Sequence, residues 1–258
     1  MKNDSASRKV RPKRGIYLLP NLLTTTNLFC GFYSLLASMQ GEFNLAAVLI
    51  VIAIVLDSLD GRIARMTNTM SKFGAEYDSL ADLVAFGVAP AILAYTWGAL
   101  DAYGKWGWLA AFLFVACGAL RLARFNIQTG IIESKVFNGL PIPASASVVA
   151  TGVMLYFYLG ETGKFHHVSI LIAVTILALF MVSNIKYYSF KDLNFFSRKP
   201  FTSFVLIVIT MIFVIAERQI TLFTFSLGYC FSGPVWWLIR YCKNVAKKKT
   251  EQSVKAKG

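Results

Sequence analysis

Two pairs of carboxylates stand out in this sequence. Asp57 and Asp60 lie three residues apart near the end of one long apolar run, and Asp78 and Asp82 lie four apart near the start of the next. On helices, both spacings place the two side chains on one face. Carboxylates are costly inside a bilayer, so acids at the ends of hydrophobic segments mark a functional site by default. Asp57 precedes Arg65 by eight residues, and Asp82 follows Gly74 by eight. If the stretch between Arg65 and Gly74 is the turn of a helical hairpin, both pairs lie about 12 Å from it, at about 1.5 Å per residue. Four acids at one level repel one another unless cations sit between them. All-oxygen ligation suits Mg²⁺, Mn²⁺ or Ca²⁺ and not Zn²⁺.

The residues between the pairs extend the chemistry. Gly61 and Ala64 are small, so they either let helices pack closely or let a flat group approach the backbone. Arg65 carries a guanidinium that matches phosphate geometry. A snorkelling anchor at a helix end is the plainer role, and it suits Arg62 better.

Those acids need long apolar helices to position them. The chain has 258 residues, 56% hydrophobic and 15% charged, with a mean hydropathy of +0.57. That is too apolar for a soluble domain and points to an all-α, polytopic membrane protein. Eight segments of spanning length can be drawn, at 19–38, 44–65, 75–97, 106–125, 144–160, 166–183, 201–217 and 220–240. With eight spans, both termini lie on one side. Of the 26 lysines and arginines, 23 fall on that side, and only Lys105, Lys164 and Arg218 fall on the other. The positive-inside rule then makes the termini and the aspartate hairpin cytoplasmic. The net charge of +13 reflects topology and attraction to anionic lipid, and no nucleic acid is expected.

Residues 1–15 read as a basic tail, 16–241 as the transmembrane domain and 242–258 as a second basic tail. The first apolar run has no clear processing site, so no cleavable signal is expected. Cys30, Cys117, Cys230 and Cys242 are scattered without C-x-x-C spacing, which fits buried or free thiols and not a disulfide framework.

From Asp57 to Asp82 the residues spell D-x2-D-G-x2-A-R-x8-G-x3-D-x3-D. This resembles the signature of the CDP-alcohol phosphotransferase family, with every fixed position filled. Arg121-Leu122-Ala123-Arg124-Phe125-Asn126, Phe86-Gly87-Val88-Ala89-Pro90 and Gly139-Leu140-Pro141-Ile142-Pro143-Ala144 look like its phosphatidylserine synthase branch. The likeness covers roughly residues 16–150. It implies a site at the cytoplasmic end of helices 2 and 3, and transfer of a phosphatidyl group from CDP-diacylglycerol to L-serine. Two divalent cations, Mg²⁺ or Mn²⁺, would be held by Asp57, Asp60, Asp78 and Asp82, with Asp82 also the general base. The nucleotide and diphosphate would meet Asn21, Thr24, Gly61, Ala64, Arg65, Ser71 and Gly74. The resemblance further implies a homodimer in the cytoplasmic membrane.

Arg121 and Arg124 share a face at the end of helix 4 and are followed by Asn126. Two arginines facing one way suit a carboxylate or a phosphate, which makes these three residues candidates for holding the acceptor. Alternative acceptors are glycerol 3-phosphate, inositol phosphate or choline. A histidine-nucleophile route through H-x-K is not available, since His166 and His167 lack that pattern and read as solvated surface. A cation transporter with an intramembrane aspartate site is the reading from another class. The company of Arg65 and the glycines, near one membrane face, argues against it.

Overall fold

The computed structural model describes residues 18–66, 71–128, 136–188, 213 and 215–255. Its principal helices are α1 (Leu18–Gln40), α2 (Phe43–Met66), α3 (Lys72–Trp97), α4 (Lys105–Gln128), α5 (Ile142–Tyr158), α6 (Val168–Val182) and α7 (Arg218–Lys255). Among the described residues, five of these are long and apolar enough to cross a membrane, while α5 and α6 are shorter apolar helices. The expected span 201–217 lies outside the described residues except for its last part.

In lipid, helices do not associate by the hydrophobic effect, so small residues that allow close backbone approach dominate the contacts. The α1–α2 hairpin shows this. It turns at Gly41, which takes the left-handed φ of 83° that glycine accepts without strain. Its seam is built from Ala37, Ala46, Ala47 and Ala53, all buried, and the Ser34 hydroxyl donates to the Ala46 carbonyl at 2.9 Å. From this hairpin the bundle grows outward. Helix α3 packs on α1, α5 lies between α2 and α7, and α6 packs on α4. Phe29, Phe32, Ile52, Val55, Phe112 and Ile176 remain exposed on the outer faces, where hydrocarbon would cover them.

Helix α3 is not uniform. Lys72–Asp82 is α-helical, Leu83–Val88 is π-helical, and Ala89–Trp97 is α-helical again. Ser71 caps its start, its hydroxyl accepting from the Gly74 amide at 2.9 Å. Its far end is held by aromatic packing of Trp97 with Phe165 and Tyr156, and by the Phe165 amide donating to the Trp97 carbonyl at 2.8 Å.

Three features depart from the sequence reading. The bundle is not purely helical, because β1 (Val136–Asn138) pairs antiparallel with β2 (Lys186–Tyr188). Helix α1 runs from Leu18 to Gln40, past both ends of the expected span 19–38. Helix α7 runs past the expected span 220–240 to Lys255, so the basic tail from residue 242 continues the helix as far as Lys255.

The short ladder is a clasp. The Gly139 amide donates to the Ile185 carbonyl at 2.9 Å, and the Leu140 amide to the Phe180 carbonyl at 3.0 Å. Tyr187 is fully buried under α7, with its ring against Gly233 and its hydroxyl donating to the Cys230 carbonyl at 3.1 Å. Burial pushes that phenol well above its usual pKa, so it stays a neutral donor.

Gly139 has a φ of 84°, and a Cβ there would strike the carbonyl of Met181. Gly163 has a similar φ of 81° but open space around it. Gly163→Ala should therefore cost only the left-handed strain, about 1–2 kcal/mol. Gly139→Ala should cost distinctly more, as an overpacking clash of about 1–3 kcal/mol adds to that strain. Thermal unfolding of the two variants side by side in detergent checks the difference.

Candidate active site

The α1–α2 seam and the packing of α3 on α1 bring the four aspartates together. Asp57, Asp60 and Asp78 each offer a carboxylate oxygen, and these oxygens lie within 4.8 Å of one another. Asp60 is buried at 4% exposure, and Asp57 and Asp78 are half-buried. Asp82, one helical turn beyond Asp78, is buried and close enough to feel the charge of the other three, but it is not one of the trio. The geometry thus separates three converging acids from a fourth set deeper.

Helix α1 supplies donors to the two buried acids. The Thr24 hydroxyl donates to Asp60 Oδ2 at 3.1 Å, and the Asn27 amide nitrogen donates to Asp82 Oδ1 at 3.3 Å. Thr24 and Asn27 are three apart and so share the face of α1 that meets α2 and α3. Thr25 reaches the hydroxyl of Tyr77 at 3.0 Å from the adjoining face. Asp60 also accepts from the Gly61 amide. Among the described residues, Asp78 Oδ1 and Asn27 Oδ1 are buried side-chain atoms with no hydrogen-bond partner. A buried acceptor left unpaired is costly, so an oxygen-lined pocket with an orphaned carboxylate oxygen fits a hard divalent cation.

The remaining sequence candidates divide into those brought to this place and those held elsewhere. Asn21 and Gly74 do meet, since a Cβ at Gly74 would lie 3.5 Å from Asn21 Oδ1 and 3.1 Å from Ser71 Oγ. Ser71 is committed at least in part to capping α3. Gly61 is half-buried on α2, one residue past Asp60. Ala64 and Arg65 lie in the last turns of α2, and their side chains lie outside the described residues.

Helix α4 resolves into three separate roles. Arg121 faces inward, within electrostatic range of Asp82 and of Tyr229 on α7, and its Nε is buried without a hydrogen-bond partner. Arg124 instead donates to Asn184 Oδ1 at 2.8 Å, beside the β2 clasp. The amide nitrogen of Asn126 donates to Ser79 Oγ at 3.0 Å, fastening α4 to α3. Of the three acceptor candidates, Arg121 is the one directed at the acids.

Residues 17–182 match the family profile described as CDP-alcohol phosphatidyltransferase. The chain belongs to that family. Within this phosphatidyltransferase the matched region covers α1 to α6 and ends before α7. A CDP-diacylglycerol--serine O-phosphatidyltransferase of Helicobacter pylori is 40% identical over 92% of this chain and 98% of its own length. The archaetidylserine synthase of Methanothermobacter thermautotrophicus is 42% identical over 66% of this chain and 69% of its own. A CDP-diacylglycerol--serine O-phosphatidyltransferase of Methanocaldococcus jannaschii is 39% identical over 67% of this chain and 75% of its own.

Asn27, Tyr77 and Tyr229 were not among the sequence candidates. Asn27 carried a usable signal: a second polar residue three after Thr24 in an apolar helix must face a polar partner. Tyr229 carried none, because α7 follows the acids by well over a hundred residues and nothing local ties it to them.

The α1 donors give a direct test. Thr24→Ala and Asn27→Ala each remove one hydrogen bond to a buried carboxylate. Each should lower CMP release by about 10- to 100-fold, as loss of groups that orient ligands commonly does, with the helical circular dichroism spectrum unchanged. CMP release and circular dichroism on the same preparations check this. Wild-type turnover in both variants would show that the hydrogen bonds do not orient the acids.

Proposed function

We propose that this enzyme transfers a phosphatidyl group from CDP-diacylglycerol to the hydroxyl of L-serine, releasing CMP, at the cytoplasmic end of α2 and α3. The carrying observation is the trio Asp57, Asp60 and Asp78 gathered within 4.8 Å, with Asp78 Oδ1 unpaired. The matched family and the names of the relatives support the reaction type and serine as acceptor. The basic cytoplasmic loops support a multi-pass protein of the cytoplasmic membrane with both termini inside, and a homodimer belongs to the same reading.

Divalent cations, Mg²⁺ or Mn²⁺ and two in number, bound by Asp57, Asp60 and Asp78 with Asp82 at the margin, would neutralise the diphosphate and the charge developing during displacement. The side chains do the rest. Asn21, Thr24, Gly61, Ala64, Ser71 and Gly74 shape the nucleotide pocket, in which Gly74 leaves space that a larger residue would close. Arg65 meets the diphosphate from the end of α2. Asp82, held by Asn27, takes the proton from the serine hydroxyl as that oxygen bonds to the phosphatidyl phosphorus. The bond from phosphorus to the bridging oxygen breaks, and CMP leaves with that oxygen. A carboxylate is a weak base for an alcohol, so its placement within hydrogen-bond reach is what matters.

Arg121 holds the serine carboxylate. Its buried Nε without a partner, its approach to Asp82 and the neighbouring Tyr229 phenol suit a small zwitterion presented to the base. Arg124 and Asn126 contribute through position: one braces α4 against residue 184, the other against α3.

Three variants divide these roles. Asp82→Asn should abolish transfer and leave CDP-diacylglycerol binding measurable, because only the proton acceptor is lost. Turnover above a tenth of wild type would remove Asp82 as base. Arg121→Ala should cost about 2–5 kcal/mol, as for other desolvated charge pairs, and should appear mainly as a higher serine KM. Arg124→Ala should leave that KM close to wild type. Steady-state CMP release over a serine titration measures both, and faster release with glycerol 3-phosphate or choline than with serine in the wild type would overturn the acceptor. Full activity in excess EDTA would overturn the cation reading.

A further inference from the structure

The proposed mechanism uses Asp78 and Asp82 without saying what aims them. Both lie in the first part of α3, Lys72–Asp82, while the last part is fixed in the core by Ala89, Pro90, Ala91, Leu93 and Ala94, all buried. The two parts are joined by the π turn Leu83–Val88, which begins at the residue after Asp82. Single π turns inside α-helices are rare and concentrate at functional sites.

Local chemistry makes this turn. Pro90 has no amide hydrogen, and in a regular α-helix its ring would press on the carbonyl four residues earlier, that of Phe86. The Ala89 amide bonds five residues back, to the Val84 carbonyl, which is the π pattern. The widened turn is gripped on both sides. On α1, a Cβ at Gly31 would lie 2.6 Å from Ala85 Cα, so the two backbones touch. On the other side Ile142 wedges between Gly118 of α4, where a Cβ would lie 2.6 Å from its Cδ1, and Gly87 of the turn, where a Cβ would lie 3.7 Å from it. Ala85 and Phe86 are fully buried in that grip.

We propose that the π turn sets the rotational phase of Asp78 and Asp82 relative to Asp57 and Asp60, with Pro90 enforcing the turn and Gly31 making room for it. A π turn takes up one residue more than an α turn of the same advance. With the last part of α3 fixed in the core, running the same residues as regular α-helix would rotate Lys72–Asp82 by about 100° and push it out by about 1.5 Å. Rotation of that size carries Asp78 off the trio and pulls Asp82 from the 3.3 Å bond to Asn27. Val84, Gly87, Pro90 and Gly31 are thus positioning residues, acting through the acids and not on substrate.

This inference rests on the reading of Asp78 as a cation ligand, so the experiment separates the two. Mn²⁺ binding to detergent-purified protein is followed through the electron paramagnetic resonance signal of free Mn²⁺, alongside CMP release. Wild type should bind Mn²⁺ and Asp78→Ala should not. Failure there overturns the cation reading and, with it, this inference. Pro90→Ala, which lets the turn relax to regular α-helix, should weaken Mn²⁺ binding by about 10- to 100-fold, the range seen when groups that orient ligands are lost. It should also lower CMP release by about 100-fold or more, the scale of a small misplacement at a reacting centre. Deleting Val84 in the Pro90→Ala background should restore both, since a regular α-helix one residue shorter keeps the original phase. Wild-type Mn²⁺ affinity in Pro90→Ala, or a folded double variant that restores nothing, overturns the proposal. If the double variant does not fold, inserting one alanine after Gly87 in the wild type decides: weakened Mn²⁺ binding in a protein as heat-stable as wild type supports phase-setting, and wild-type Mn²⁺ affinity refutes it.

Discussion

Mutual repulsion of carboxylates is the constraint that governs this protein. Two like charges about 4 Å apart cost about 4 kcal/mol near a protein surface, and more as water is excluded. Here three carboxylate oxygens lie within 4.8 Å and a fourth acid sits one turn further in. Nothing in the acids themselves favours that arrangement. It is imposed by helices that cannot yield: the alanine-lined seam of α1 and α2, the buried second half of α3, and the backbone contact at Gly31. The rigid scaffold keeps the acids closer together than they would choose, and that closeness makes an oxygen-only pocket attractive to a small divalent ion.

Helix α1 has a quieter part in the same balance. Thr24 and Asn27 each give one hydrogen to a buried carboxylate, occupying one lone pair and leaving others open. Full satisfaction by protein donors would leave nothing to attract a cation. No donors at all would leave the buried acids uncompensated and prone to protonation. The donors come from a helix outside the acidic motif, so the motif alone does not make the site.

Much of this was legible from residue types and spacing. The acids at i, i+3 and i, i+4 share faces as helical geometry requires, and seven of the eight apolar runs become helices in the order expected, the run 201–217 lying mostly outside the described residues. What escaped was tertiary in origin. Pro90 signals an interruption of α3, but whether a proline yields a kink or a π turn depends on what packs beside it, here Gly31 and Ile142. The strands Val136–Asn138 and Lys186–Tyr188 are three residues each and have no alternating pattern long enough to read. Arg121 and Arg124 look equivalent in sequence, and only the partner at Asn184 separates them.

The position of α7 has a consequence for assembly. All four acids and their α1 donors lie within the first 82 residues, whereas Tyr229, the neighbour of Arg121, lies on the last helix. Tyr187 must already be seated by the β1–β2 ladder for Gly233 to close over it. Chains are made from the N-terminus, and segments fold as they emerge. The acidic half of the pocket can therefore form while the ribosome is still extending the chain, and the wall that faces Arg121 arrives last. During biogenesis Arg121 is without its Tyr229 neighbour until the final helix docks, so the acid side of the site is made before the surroundings of that arginine are complete.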